Sequence, residues 1–252
     1  MSPPSPPRST PTITAPVRSS TSCAPRPKGN ALKPRGHFIV LEGPDKCGKS
    51  TQAALLVRAL REHYDRAGES RSIVHTREPG GTAFAEALRK VVLDPTHEVE
   101  PLAELMIYEA ARVQHTEQVL RPAMQRGLIA VSERYTLATL AYQGYARGLD
   151  LQLVRQLNKI ATGGLTPDLT MVLDIPDQRF KSRDPGRELD RLEREDAAFR
   201  HKVAAGYRKL AAAERKVILI DADRPPHLVH VDIVSRVSVL LKETLEPLPL
   251  SA

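Results

Sequence analysis

The stretch Gly43-Pro44-Asp45-Lys46-Cys47-Gly48-Lys49-Ser50-Thr51 fits the spacing G-x-x-x-x-G-K-[ST] at every required position. Phe38-Ile39-Val40-Leu41, just before it, is a short apolar run of the kind that forms a buried strand. Gln52 to Tyr64, just after it, carries apolar residues at helical spacing. A glycine-rich turn in that setting binds anions, because its backbone N–H groups and those of the first helical turn lack intrahelical partners and lie at the positive end of the helix dipole. The loop from Gly43 to Thr51 thus predicts a cradle for a polyphosphate. Lys49 reaches the β and γ phosphates, and the Ser50 hydroxyl is placed to ligate Mg²⁺.

Outward from the loop, strand-like and helix-like segments alternate. Ser72 to Thr76, Leu128 to Val131, Leu169 to Ile175 and Val217 to Ile220 are further short β-branched runs. Between them lie helical patterns over Ala83 to Leu93, from Pro101 past Val119, over Thr139 to Tyr145 and over Leu151 to Ile160. Pro122 is expected to kink the long second pattern or to start a new turn. A charged stretch from Arg179 to Arg194 leads to a helix ending near Arg215, and a last helix runs from about Pro226 to Leu241. This order calls for a five-stranded parallel sheet covered by helices on both faces.

The 252 residues, 41% of them hydrophobic, are enough for a real core, and no apolar run approaches the roughly 20 residues of a membrane span. Six of the seven net positive charges fall in residues 1–36, which hold no acidic residue and nine of the 21 prolines. That composition predicts a disordered Pro/Ser/Arg-rich tail ahead of a folded domain over 37–245, itself nearly neutral and unsuited to nucleic acid. The tail also resembles an organelle transit peptide, although its proline density opposes the amphipathic helix such peptides form. Without targeting, the expected location is cytoplasmic. Cys23 and Cys47 suggest no disulfide framework, and Cys47 reads as a small packing residue.

Beyond the loop, Thr76-Arg77-Glu78-Pro79-Gly80-Gly81-Thr82, Tyr108-Glu109-Ala110-Ala111-Arg112, Ser132-Glu133-Arg134-Tyr135, Ala141-Tyr142-Gln143-Gly144 and Glu188-Leu189-Asp190-Arg191-Leu192-Glu193 follow in order. With these the chain resembles the thymidylate kinases from about Gly36 to Leu241. The resemblance implies a nucleoside-monophosphate-kinase fold with a short mobile lid at about 180–194, a homodimer, and γ-phosphoryl transfer from ATP to dTMP with Mg²⁺. It implies that Arg77 clamps the acceptor phosphate, Tyr108 stacks on thymine and Arg112 donates to a base carbonyl. Arg134 bridges the two phosphates, while Thr139, Tyr142 and Gln143 line the sugar and base, Tyr142 excluding a ribose 2′-hydroxyl. Asp45 matches a loop carboxylate that orients the sugar 3′-hydroxyl. Lys46 stands where one subtype has arginine, and Glu133, which touches the Mg²⁺ shell through water, stands where the family has aspartate. Arg183, Arg187 and Arg191 are the lid cations for the transferring group.

The cation inventory fits that chemistry independently, because two polyanionic substrates need neutralising and an anionic acceptor needs no general base. Two other readings compete. A deoxynucleoside kinase would need a carboxylate base, a role open to Glu42, and a P-loop nucleotide-binding module would not need acceptor-side cations at all.

Overall fold

Alternation within the first strand decides how the layers form. In β1 (His37–Glu42), Phe38 and Val40 join one apolar cluster, Ile39 and Leu41 join another, and all four are fully buried. A strand buried on both faces needs helices on both. The structure, a computed structural model, describes residues 35–69, 71–176, 179–182 and 188–249. All of the expected tail but its last two residues, including Cys23, lies outside the described residues, as do Arg183 and Arg187.

Among the described residues, β1, β2 (Ile73–Arg77), β3 (Ile129–Glu133), β4 (Leu169–Asp174) and β5 (Val217–Asp221) form one parallel sheet in the order β2-β3-β1-β4-β5. Register places Leu41 opposite Glu133 and Arg77 opposite Glu133, so the strands end together at one edge of the sheet. The chain runs to one side of β1 through β2 and β3 and to the other through β4 and β5. Such a reversal leaves a crevice at the carboxyl ends of the strands, where ligands of open α/β sheets bind.

Helices α1 (Lys49–Arg66) and α9 (Pro226–Leu241) cover one face. There Leu56 and Leu60 meet Met171, Leu173, Ile233 and Val237, all fully buried. Each such leucine contributes about 1.5–3 kcal/mol through burial. Toward the other face lie α2 (Ala83–Leu93), α3 (Pro101–His115), α4 (Arg121–Gln125), α5 (Thr136–Thr139), α6 (Leu151–Thr162) and α8 (Ala197–Ala213), with the one-turn α7 (Arg179–Ser182) ahead of α8. Side chains start several of these: Thr82 caps α2 through Ala85 N–H and Asp196 caps α8 through Phe199 N–H.

Pro122 starts α4 after a π-helical turn over Thr116–Leu120, in line with the expected break. The stretch expected as an ordinary helix over 139–145 differs. It is π-helical over Leu140–Ala146, and six of its seven residues are buried. The helical pattern expected there presupposes a solvent side. Enclosure by α3, α6 and α8 removes it, and the wider turn turns both Tyr142 and Gln143 inward.

Candidate active site

The phosphate loop is shaped by backbone that side chains would obstruct. Gly43 has φ 134°, and a Cβ there would lie 2.5 Å from the Leu173 carbonyl oxygen and 2.9 Å from Cys47 Sγ. Gly48, at φ 98°, starts α1 with no side-chain cap and no acidic residue in the first turn, which leaves the amides there for an anion. Lys49 folds back onto the loop: its Nζ donates to the carbonyls of Gly43 at 3.1 Å and Pro44 at 2.7 Å. Cys47 is buried in the core cluster beneath, as its reading as a packing residue predicts.

A cleft of about 800 Å³ opens over the loop, lined by Lys46, Ser50 and Thr51 on one side and by Arg77, Arg89 and Arg134 on the other. Arg134, held at φ 69°, is anchored through its N–H to the Leu41 carbonyl. A left-handed non-glycine residue costs about 1–3 kcal/mol and marks a position held by its surroundings. Those surroundings are polar. Its Nη1 donates to Gly43 O and to Tyr207 Oη, and its Nη2 to Tyr142 Oη and to Asp45. Tyr142 Oη in turn donates to Asp45 Oδ2 at 2.7 Å. Burial alone would raise the Asp45 carboxyl, but Arg134, Lys49 and the Tyr142 hydroxyl outweigh it and hold it below the usual carboxylate range.

Glu133 bridges the loop and the second strand. Its Oε2 accepts from Ser50 Oγ at 2.5 Å, and its Oε1 lies 3.0 Å from His75 Nε2. A hydroxyl and a carboxylate are hard oxygen donors suited to Mg²⁺, which binds few protein ligands and keeps its remaining positions for water and phosphate. The longer glutamate is accommodated because His75 holds its free oxygen.

Beside the cleft lies a second cavity that shares Asp45, Glu78, Arg89, Arg134 and Asp190 with it. Tyr108, Arg112, Thr139, Tyr142 and Gln143 line this cavity, so the structure brings together the residues expected to hold a base and sugar. Arg112 is 2% exposed and donates to Glu78, Glu109, Thr139, Asn158 and the Tyr135 carbonyl. Three of these bonds fall on Nη1 and one each on Nε and Nη2. One Nη2 proton is therefore left without a partner among the described residues. Glu78 also meets His115 Nδ1 at 2.8 Å, and His115 Nε2 lies 2.7 Å from Thr76 Oγ1. Gly81, at φ 80°, lets this cluster close, since a Cβ there would stand 2.6 Å from both His115 and Thr76.

Two expected residues sit differently from a simple reading of their roles. Arg77 is half-exposed in the cleft and paired with Glu86 at 3.1 Å. Arg191 does not line either cavity: its Nε donates to Val92 O and its Nη2 to Glu104 at 2.6 Å, which fastens its own segment to α2 and α3. Lys46, at φ 60°, places Nζ 4.7 Å from the centre of the Phe180 ring in α7. Glu42, the base a nucleoside kinase would need, is fully buried. Its oxygens accept from the N–H groups of Tyr135 and Ala138 and from Tyr207 Oη.

Arg89 escaped the sequence reading. It donates to the Pro79 carbonyl at 3.1 Å and lines both cavities; burial, then the charges of Arg77 and Arg134, lower its pKa. Three arginines gathered at one place favour an anion there, even with Arg77 paired to Glu86 and Arg134 to Asp45. An arginine inside an ordinary helical pattern gives no signal of this. Glu104, in α3, was missed for the same reason, and His75 because one polar residue in a short strand does not show which neighbour it will meet.

A thymidylate kinase family profile matches residues 41–233. The chain belongs to the thymidylate kinase family. Relatives in this family include a thymidylate kinase of Exiguobacterium sp., 44% identical over 203 residues that cover 79% of this chain and 92% of that one. Another, from Pelotomaculum thermopropionicum, is 41% identical over 84% of this chain and 97% of its own. The crystal structure of thymidylate kinase from Ehrlichia chaffeensis superposes with a TM-score of 0.65 at 28% identity, covering 81% of this chain and 99% of that one. The family's kinase fold is thus the fold of this chain.

Proposed function

We propose that the cleft transfers the γ-phosphoryl group of ATP to the 5′-phosphate of dTMP, yielding dTDP and ADP for dTTP synthesis. The observation that carries this reading is the sharing of Arg89 and Arg134 between the phosphate-loop cleft and the Tyr108 cavity. Two polyanions brought together there repel, at roughly 4 kcal/mol for each pair of unit charges about 4 Å apart in an effective dielectric near 20. Lys49, Arg77, Arg89 and Arg134 offset that repulsion from four separate segments.

The acceptor oxygen is already anionic. It attacks the γ-phosphorus, the bond from phosphorus to the bridging oxygen breaks, and ADP leaves with the electron pair; no general base is required. The loop amides and Lys49 hold the ATP phosphates, Arg134 spans donor and acceptor, and Arg77, released from Glu86, grips the acceptor phosphate with Arg89. Ser50, and Glu133 through water, would hold Mg²⁺, which would supply further neutralisation of the ATP phosphates. Tyr108 stacks on thymine, the remaining Nη2 proton of Arg112 serves a base carbonyl, and Thr139 and Gln143 line the sugar and base. Tyr142, braced by Asp45 and Arg134, excludes a ribose 2′-hydroxyl, and Asp45 orients the 3′-hydroxyl. Lys46 and the lid residues Arg183 and Arg187 act on the transferring group. Exposed apolar side chains along one face of α3, Leu102, Met106 and Val113, support a homodimer. Consumption of ATP and dTMP suits a cytoplasmic protein.

Turnover of dTMP and of thymidine with ATP and Mg²⁺ tests the reading. dTMP is expected to be the far better acceptor, since thymidine leaves the arginines unpaired. Arg77→Ala is expected to cost about 2–5 kcal/mol, a fall in kcat/KM for dTMP of roughly 30-fold to several thousand-fold, with ATP binding little changed. Lys49→Ala should lower kcat about 100-fold or more. Thymidine as the better acceptor, or a normal Arg77→Ala enzyme, would return the assignment to a nucleoside kinase.

A further inference from the structure

Glu104 stands one helical turn before Tyr108 in α3 and is fully buried. Its Oε1 accepts from Gln143 Nε2 at 2.7 Å. Its Oε2 accepts from Arg191 Nη2 at 2.6 Å and Arg147 Nη2 at 3.2 Å, so two guanidinium groups from separate segments hold it. A carboxylate in that setting accepts and does not donate. The Gln143 carboxamide has one donor end and one acceptor end of nearly the same shape, and only the donor end satisfies Glu104. With Nε2 engaged by Glu104, the acceptor end, Oε1, is the end of Gln143 left for a ligand in the cavity that it lines with Tyr108 and Thr139.

Resting on the dTMP reading proposed above, we infer that Glu104 is a positioning residue that fixes the Gln143 amide with its oxygen toward the base, and so selects pyrimidines that carry a proton on N3. Thymine and uracil present N3–H to that oxygen. Cytosine presents a bare N3, an acceptor facing an acceptor, and leaves Gln143 Oε1 desolvated without a donor. Arg191 enters recognition indirectly: absent from the cavity wall, it braces the carboxylate that aims Gln143.

The test is Glu104→Gln, nearly isosteric but able both to donate and to accept, so that the Gln143 amide is no longer forced into one orientation. kcat/KM is measured for dTMP and dCMP on both proteins, alongside thermal melting. The ratio of dTMP to dCMP is expected to fall at least tenfold in the variant, mainly through a higher KM for dTMP with kcat less affected. A purely structural role would lower stability and both activities and leave the ratio unmoved, and a ratio within twofold of wild type in a folded variant would overturn the inference while the dTMP reading stands. Should the variant fail to fold, binding of dTMP and its N3-methyl derivative to the unaltered chain decides. Binding at least tenfold weaker for the methylated form supports the inference, and equal binding overturns it. A wild-type chain that does not turn over dTMP at all would remove both the reading and the inference.

Discussion

Both faces of the sheet are packed with apolar side chains, but only one adds a buried network of charges. Under α1 and α9, Ile39, Leu41, Leu56, Leu60 and Met171 are apolar side chains that need no particular partner. Toward α3 and the π-helical stretch, Arg112, Glu78, Glu109, His115 and Asn158 are almost wholly buried, and each depends on named neighbours. Apolar burial is non-directional and tolerates exchange. Buried charge is directional and tolerates little, so it holds a cavity wall in one geometry at the risk of a large penalty when one member is lost.

Breaking the charged side should show the largest effect on stability. Arg112→Met removes the cation shared by Glu78 and Glu109 and is expected to cost about 3–5 kcal/mol in urea unfolding, together with dTMP turnover. A loss below about 1 kcal/mol would mean that the network contributes little. The acid limb offers a finer reading of the same site. Burial would raise the Glu78 carboxyl, but Arg112 and His115 outweigh it and lower it below its ordinary 4.5. Such a group stabilises the fold above 4.5, and the contribution is lost as pH falls through the lowered value. Without Arg112 that contribution goes, so acid unfolding should begin at higher pH in the variant.

On the apolar side, Leu60→Ala is expected to cost about 2–4 kcal/mol through the lost contacts and the cavity left behind. Kinetic constants for dTMP in the folded fraction should not move. A changed KM would show that the two faces are coupled, and the contrast drawn between them would have to be given up.

The smallest effect concerns the one imidazole set into the α9 layer. His230 is fully buried, accepts the Leu248 N–H at 3.2 Å through Nε2, and has no partner for Nδ1 among the described residues. Burial lowers its pKa from 6.5, so the folded state prefers the neutral ring. Stability from this site is complete above 6.5 and declines as pH falls below it. Between pH 7.5 and 5.5 the wild type should lose more stability than His230→Leu in urea unfolding. Identical pH slopes would contradict this.

Much of the molecule is legible without coordinates, for a reason visible in particular residues. The phosphate loop is local: Gly43, Gly48, Lys49 and Ser50 act through backbone angles and a helix start that lie within nine residues. The strands are legible because each contains a run of two to four apolar residues. Arg89 and Glu104 are not legible, because nothing in their own helices separates a charged residue facing solvent from one facing a cavity. The π-helical turn is hidden likewise, since its burial comes from neighbours distant in sequence.

The amino-acid sequence alone determined the parallel sheet, the anion-binding loop and the family resemblance, all of which rest on spacing along the chain. Tertiary structure alone decided that Arg89 joins Arg77 and Arg134, that Arg191 turns away to brace Glu104, that His75 supports Glu133, and that Glu42 is sealed behind Tyr135 and Tyr207. Charge does its work through distance in space, and side chains 58 to 165 residues apart acquire a distance only when the strands pair.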